Sequence, residues 1–107
     1  MINTGGEKVA PGRVAAALEL CPGVREAVVI GVPDPEWGER VTAVVVPDDP
    51  AHPPGIAALR AAVRRRMPRH AAPRALVLVA EVPLLASGKP DLAALRRLSR
   101  GDAGPPG

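Results

Sequence analysis

The sequence predicts an α+β domain in which a small, three-stranded, mostly antiparallel sheet carries packed helices, with an N-terminal hairpin beside it. Continuous apolar runs indicate buried strands, and segments with apolar residues three and four positions apart indicate helices between them. Gly and Pro separate these segments. The chain has 107 residues and is 47% hydrophobic, which is typical of one small folded domain.

The N-terminal segment predicts a short hairpin. Met1-Ile2 has the character of a strand, and Gly5-Gly6 follows as a turn that carries Glu7 and Lys8. Adjacent glycines allow backbone conformations that other residues avoid, and they let a ligand or partner approach the main chain closely. The turn is therefore either a plain structural hairpin or a place where a ligand or partner binds.

The first helix is predicted to begin at Pro11 and to end at Pro22-Gly23, since proline suits a first helical turn. Its apolar face consists of Val14, Ala17, Leu18 and Cys21. On that face Cys21 is better explained as a small core residue than as a reactive thiol. A single cysteine forms no internal disulfide, which fits a reducing compartment, and we expect a cytoplasmic protein.

The middle of the chain predicts two antiparallel strands. Residues 24–32 and 41–46 are nearly continuous apolar runs, as expected of strands that are buried on both faces. A polar loop joins them and contains Trp37, the only aromatic residue. Trp37 either caps the core at the edge of the sheet or stacks on a ligand.

The second half of the chain predicts a helix, a strand and a further helix. An exposed loop over residues 48–55 leads into a helix predicted over 56–67, which carries three consecutive arginines at residues 64–66 in its last turn. These arginines are either a solvated helix end, favoured by the macrodipole, or a phosphate contact. Residues 75–79 predict the third strand, and a last helix is predicted from Asp91, which can cap it. The domain then spans residues 1–99, and residues 100–107 are a predicted disordered tail.

The loop before the last helix is the main functional candidate. The chain contains 12 Arg but only two Lys, Lys8 and Lys89. Ser87-Gly88 permits a sharp turn, so Lys89 is expected to project from a loop that is held at both ends. A compact ammonium on a flexible stem suits contact with a phosphate or carboxylate oxygen that moves. Lys89 is therefore either such a contact or one more solvated cation.

Composition argues against several classes of partner. A net charge of +3 with a single aromatic residue does not provide the stacking platform of a single-strand nucleic-acid binder. No apolar run approaches the roughly 20 residues that span a bilayer. The two histidines have no companions at metal-ligand spacing. We therefore expect no nucleic acid, membrane or metal partner.

Residues 1–99 resemble the C-terminal domain of the adenylate-forming superfamily, which includes acyl-CoA synthetases, luciferases and peptide-synthetase adenylation domains. Four motifs in order carry the resemblance: residues 3–9 (NTGGEKV) before Pro11, residues 32–39 (VPDPEWGE), residues 67–68 with 72–74 (MP and APR), and Pro83 with residues 87–89 (SGK). Residues 2–8 and 83–85 are most similar to the ligase that joins CoA to o-succinylbenzoate in menaquinone synthesis.

The resemblance implies an ATP-dependent acid–thiol ligase. Such enzymes adenylate a carboxylic acid, release pyrophosphate and then transfer the acyl group to the thiol of CoA or phosphopantetheine, with the small domain rotating in between. Lys89 corresponds to the family's catalytic lysine, which bridges the substrate carboxylate and the α-phosphate. The other implied contacts are Lys8 and Gly88 for the adenylate, Gly5, Gly6 and Glu7 for the pantetheine arm, and Arg69 and Arg74 for the phosphates of CoA.

The resemblance also implies that this chain works with a second domain. ATP with Mg²⁺ and CoA are expected to be substrates of the complete enzyme, with none bound by this chain alone. The expected partner is an N-terminal ATP-binding domain, in cis or in trans, and the isolated chain is expected to be inactive. The alternative is a non-catalytic partner-binding or regulatory module with the same fold, which would not require a lysine at position 89.

Overall fold

The computed structural model describes residues 1–99, which form a five-stranded sheet with helices on both faces. The α+β class is therefore confirmed, while the predicted tail at residues 100–107 lies outside the described residues. A short 3₁₀ turn, Arg69–Ala71, precedes the last strand. The elements in chain order are β1 (Ile2–Thr4), β2 (Glu7–Val9), α1 (Pro11–Glu19), β3 (Val24–Asp34), β4 (Gly38–Pro47), α2 (Ile56–Arg64), β5 (Ala75–Leu78) and α3 (Leu92–Ser99).

Strand β4 is the centre of the sheet. Strand β3 runs antiparallel to it along one edge, from Val24 opposite Pro47 to Asp34 opposite Gly38. Along the other edge β5 runs parallel to β4, and β1 meets β4 antiparallel where Thr4 lies opposite Gly38. The parallel pair requires a crossover connection, and α2 supplies it.

The prediction of three strands with a separate hairpin is wrong, because β1 and β2 belong to the same sheet. The N–H of Asn3 donates to Oε1 of Glu39 over 2.9 Å, across 36 positions of sequence. The N–H of Gly5 donates to the carbonyl of Trp37, also over 2.9 Å. Strands of three residues are too short to show a periodicity, and such distant pairing leaves no local signal.

The connection between β3 and β4 is shorter than predicted, since only residues 35–37 lie outside the two strands. Pro33 lies just beyond the predicted end of the first strand at residue 32, but it belongs to β3 and pairs with Glu39. Because β3 is an edge strand, a residue without an N–H is tolerated there.

Each face of the sheet has its own apolar cluster. Val41, Ala43 and Val45 of β4 belong to the cluster under α1 and α2, which includes the fully buried Leu59. Val44 and Val46 belong to the opposite cluster, which contains Val82 and the fully buried Leu95 of α3. The two clusters explain the continuous apolar run of β4, since a strand buried on both faces has no polar side.

The helices follow the predicted apolar spacing but end earlier. Helix α1 ends at Glu19, and Cys21 lies just beyond it, buried in the same cluster as Val14 and Leu18. Helix α2 ends at Arg64 rather than at residue 67. Helix α3 is capped as predicted, because Oδ1 of Asp91 accepts the N–H of Ala94 over 3.1 Å.

Between residues 1 and 99, none of the helices is long and apolar enough to cross a bilayer. In the same range, no three His, Cys, Asp or Glu side chains come together as potential ligands of a metal ion.

Candidate functional site

The loop that carries Lys89 is a tight hairpin between β5 and α3. The N–H of Leu85 donates to the carbonyl of Lys89 over 2.8 Å, and the N–H of Gly88 donates to the carbonyl of Leu85 over 2.9 Å. Leu84 pairs with Pro90 as an antiparallel bridge, and Gly88 adopts a φ of +88° that favours glycine. These bonds fix the backbone on which the lysine is mounted.

The side chain of Lys89 is exposed. The ion pairs in the described part of the chain join Arg40 to Asp34 and His52 to Asp49, so Lys89 has no carboxylate partner there. It borders an open depression with Leu85, Pro90 and Leu92. An anion supplied from outside the domain can therefore reach the ammonium directly.

The turn between β1 and β2 is built on two glycines in the left-handed region, with φ of +57° at Gly5 and +83° at Gly6. A Cβ atom at Gly5 would lie 3.0 Å from Cε3 of Trp37, whereas one at Gly6 would meet nothing within 4 Å. Gly5 is thus required both by its backbone and by its close contact with the indole, while Gly6 leaves open space above the turn.

Trp37 connects this turn to Arg74. The guanidinium carbon of Arg74 lies 3.7 Å from the centroid of the indole ring, which is a close cation–π contact. The half-buried indole also packs against Gly5. The backbone carbonyl of Trp37 accepts the N–H of Gly5. This arrangement favours the cap interpretation of Trp37 over ligand stacking, because a protein side chain already covers the ring.

Asp34 holds the turn that carries Trp37. Its Oδ1 accepts the N–H groups of Glu36 and Trp37 over 2.8 and 3.0 Å, and its Oδ2 accepts Nη1 of Arg40 over 3.0 Å. The N–H of Trp37, then that of Glu36 and the guanidinium of Arg40 lower the pKa of Asp34. Asp34 is not among the predicted site residues, although an Asp whose side chain accepts the N–H groups two and three residues later is a recognisable turn signal.

Positive charge is concentrated beside the start of β5. Nη1 of Arg60 donates to the carbonyl of Pro73 over 2.7 Å, which places its guanidinium next to Arg74. Burial, with the nearby charges of Arg64 and Arg74, lowers the pKa of Arg60. None of the ion pairs within residues 1–99 neutralises this group of three arginines. Arg60 was missed because its charge sits within an apolar helix pattern.

The predicted site residues form two groups. The hairpin group contains Gly5, Gly6, Glu7 and Lys8, together with Arg74, which the indole links to Gly5. Lys8 borders a depression with Arg13 of α1 and with residues of the 3₁₀ turn, on which the exposed Arg69 lies. The lysine group contains Gly88 and Lys89, next to α3.

Comparison with known proteins identifies the family. The sequence model of one protein family, the AMP-binding enzyme C-terminal domain, matches residues 13–89, a stretch that ends on Lys89. A medium/long-chain-fatty-acid–CoA/3-oxocholest-4-en-26-oate–CoA ligase of Mycobacterium marinum is 47% identical over 90 residues, which are 84% of this chain and 16% of that protein. A probable 2-succinylbenzoate–CoA ligase of Mycobacterium tuberculosis is 45% identical over 102 residues, which are 95% of this chain and 27% of that protein.

A solved structure supports the same conclusion. A malonyl-CoA ligase with methylmalonyl-CoA and AMP bound superposes with a TM-score of 0.73 at 43% identity, covering 76% of this chain and 18% of that protein. The chain thus spans between about a sixth and about a quarter of the length of the proteins it matches. The sequence matches and the structural match indicate the same family, and the chain belongs to the family of AMP-binding enzyme C-terminal domains.

Proposed function

We propose that this domain is the mobile lid of an ATP-dependent acyl-CoA ligase and that Lys89 is its adenylation lysine. The observation that carries the proposal is the exposed ammonium of Lys89, which has no partner within residues 1–99 and stands on a rigid loop at the end of the family match. The complete enzyme requires an ATP-binding domain, to which the lid is supplied in cis or in trans. Its relatives are named as CoA ligases, which supports CoA as the thiol acceptor.

In the first half-reaction a carboxylate oxygen of the substrate attacks the α-phosphorus of ATP. The bond to the bridging oxygen breaks, and pyrophosphate leaves with the electron pair. Both reactants are anionic, so a cation between them offsets their repulsion and stabilises the charge of the transition state. Lys89 supplies this cation, and Gly88 lets the loop backbone approach the adenylate. Mg²⁺ accompanies ATP as part of the substrate.

In the second half-reaction the thiol of CoA gives up its proton and attacks the acyl carbonyl carbon of the adenylate. The C–S bond forms, the C–O bond to AMP breaks, and AMP leaves with the electron pair. We assign this step to the hairpin group, where Gly6 leaves room for the pantetheine arm, and Gly5 and Glu7 border the arm. Lys8 then contacts the adenylate, while Arg69 and Arg74 contact the phosphates of CoA. The separation of the two groups supports a rotation of the lid between the half-reactions.

The identity of the carboxylic acid substrate is a more specific proposal than the reaction itself. The similarity to a probable 2-succinylbenzoate–CoA ligase covers 95% of the chain and supports an o-succinylbenzoate substrate, and hence a role in menaquinone synthesis. We place the reaction in the cytoplasm, where ATP and CoA are available. The test is the acid dependence of ATP–pyrophosphate exchange by the reconstituted enzyme, with medium-chain fatty acids as the competing substrates. A preference for fatty acids would contradict this assignment.

The lysine assignment is tested by combining the chain with a matching ATP-binding domain. We expect Lys89→Ala to lower carboxylate-dependent ATP–pyrophosphate exchange by about 10²–10³-fold, because a preorganised donor to the transition state is lost. Thioester formation from a supplied acyl adenylate should be nearly unchanged. Arg97→Ala removes an exposed cation from α3 and is the matched control.

Equal exchange rates for Lys89→Ala and the unmodified chain would show that the assignment is wrong. The alternative, a non-catalytic partner-binding or regulatory module, predicts binding to the other domain without any restored turnover. Measuring both binding and exchange on the same samples therefore separates the two functions.

A further inference from the structure

The β1–β2 hairpin is held to the sheet by the two residues that flank Gly38. The backbone carbonyl of Trp37 accepts the N–H of Gly5 over 2.9 Å. On the other side of Gly38, Oε1 of Glu39 accepts the N–H of Asn3, also over 2.9 Å. Strands β1 and β4 are otherwise paired directly at one position. The bond from Glu39 is therefore the side-chain contribution to the placement of β1, and a substitution can remove it.

The carboxylate of Glu39 lies over Gly31 of β3. A Cβ atom at Gly31 would lie 2.5 Å from Oε2 of Glu39 and 3.2 Å from Cγ2 of Ile2. Gly31 is buried and is not among the glycines with positive φ, so glycine is needed at this position for space and not for its backbone conformation. The missing side chain leaves the room that the half-buried carboxylate occupies, and from this position Oε1 reaches the main chain of β1.

The contact between Glu39 and Gly31 belongs to the rigid part of the sheet. Gly31 lies opposite Val41 in the β3–β4 ladder. Glu39 comes two positions before Val41, so its side chain points to the same face as Gly31. The carbonyl of Gly31 accepts Nε of Arg96 over 3.3 Å, which also ties this point of β3 to α3. Strand β1 has only three residues, so it takes its position from this contact.

We propose that Glu39 is a positioning residue for the thioester-forming half-reaction and that Gly31 is required so that Glu39 can act. The inference rests on the proposed function, since it concerns the turn to which the pantetheine arm is assigned. The Gly5-Gly6 turn begins two residues after Asn3, so the bond that fixes Asn3 also fixes where the turn starts. Glu39 thus acts through the hairpin and does not itself contact the substrate.

The two half-reactions should depend differently on Glu39. The backbone bonds that hold the Lys89 loop join residues 83–91 to one another and do not involve β1. Thioester formation requires the thiol at attacking distance from the acyl carbon, and a misplacement of about 1 Å can cost about 10² in rate. Glu39 serves here as a hydrogen-bond acceptor, so the amide oxygen of a glutamine can replace the carboxylate oxygen.

The test combines the full chain with a matching ATP-binding domain and measures both half-reactions. We expect Glu39→Ala to lower thioester formation from a supplied acyl adenylate roughly tenfold or more, while ATP–pyrophosphate exchange stays within about twofold of the unmodified chain. Glu39→Gln keeps an acceptor oxygen and should retain most of the thioester rate. Glu26→Ala, at an exposed glutamate of β3, is the matched control.

Gly31→Ala tests the same contact from the other strand. Its Cβ atom would collide with Oε2, so the carboxylate must move away and thioester formation should fall selectively, as in Glu39→Ala. The double variant Gly31→Ala/Glu39→Ala should form the thioester no more slowly than Glu39→Ala alone, because the shortened side chain frees the space. Additive losses would show that the two residues do not act through one contact, and the inference would then be wrong.

The remaining outcomes distinguish this inference from the function on which it rests. If Lys89→Ala lowers exchange while Glu39→Ala lowers both half-reactions equally or neither, Glu39 has no positioning role and the catalytic assignment stands. Equal losses for Glu39→Gln and Glu39→Ala would also contradict positioning through this bond. If Lys89→Ala leaves exchange unchanged while Glu39→Ala selectively slows thioester formation, the lysine assignment fails and the positioning role stands. If the unmodified chain restores neither half-reaction, both proposals fail. Circular dichroism checks that each variant is folded.

Discussion

At Gly5 the backbone and the packing both exclude a larger residue. The φ angle is +57°, and a Cβ atom would lie 3.0 Å from the indole of Trp37. We therefore expect Gly5→Ala to lower the free energy of unfolding by about 1–2 kcal/mol, as measured by urea denaturation.

Gly12→Ala is the matched control for this variant, because Gly12 lies in α1 with open space around it. Replacing this glycine of the first helical turn with alanine should not lower stability, and the gain should be at most roughly 0.5–1 kcal/mol, the value for a helix interior. Equal effects of the two variants would contradict the close contact between Gly5 and Trp37.

Arg74 and Trp37 form a contact that the only tryptophan can report. Arg74→Ala removes the guanidinium and uncovers the indole ring. Because the site is exposed, the free energy of unfolding should fall by about 0.5–1 kcal/mol. We expect the tryptophan emission to move to longer wavelength as water reaches the indole. Arg69→Ala, at an exposed arginine of the 3₁₀ turn, is the control. An unchanged spectrum for Arg74→Ala would show that the stacked contact is not populated.

At the scale of elements, the β3–β4 hairpin depends on one carboxylate. The pKa of Asp34 is lowered from its ordinary value near 3.8 by the N–H groups of Trp37 and Glu36 and by Arg40. A lowered pKa means that the ionised group stabilises the folded state at pH values above this ordinary value. That contribution is lost as the pH falls through the lower pKa of the folded state.

We therefore expect Asp34→Ala to be less stable than the unmodified chain at pH 7, with the difference shrinking below about pH 4. Urea denaturation at pH 7 and pH 3 measures this. Glu36→Ala is the control, because it keeps the backbone N–H that Asp34 accepts. Its free energy of unfolding at pH 7 should therefore be close to that of the unmodified chain. A difference that does not depend on pH would contradict the role of the ionised carboxylate.

At the scale of the whole molecule, the two apolar clusters share one strand. Leu59 and Leu95 are fully buried on opposite faces of the sheet, and β4 contributes side chains to both clusters. We expect Leu59→Ala and Leu95→Ala each to lower the free energy of unfolding by about 2–5 kcal/mol. Circular dichroism and tryptophan fluorescence should give coincident urea transitions for both variants, because neither face can unfold without the shared strand.

Exposed Leu98 of α3 serves as a control, and Leu98→Ala should cost well under 1 kcal/mol. Separate transitions for the two faces would show that α3 is an independently stable layer. That result would also weaken the idea of a rigid lid.

Much of the fold was predictable because its signals are local. Apolar spacing identified α1 and α2, Pro11 and Asp91 identified helix starts, and the run at residues 41–46 identified a strand buried on both faces. The sequence also directed attention to the loop at Lys89 and to the Gly5-Gly6 turn, since scarce lysines and paired glycines are visible without any structure.

Only the tertiary structure decided which distant residues meet. It joined the N-terminal hairpin to β4 through Asn3 and Glu39, and it brought Arg74 over Trp37. The physical reason is that periodicity and turn chemistry are properties of neighbours in the chain, whereas these contacts follow from how sheet edges and loops pack once the core has formed.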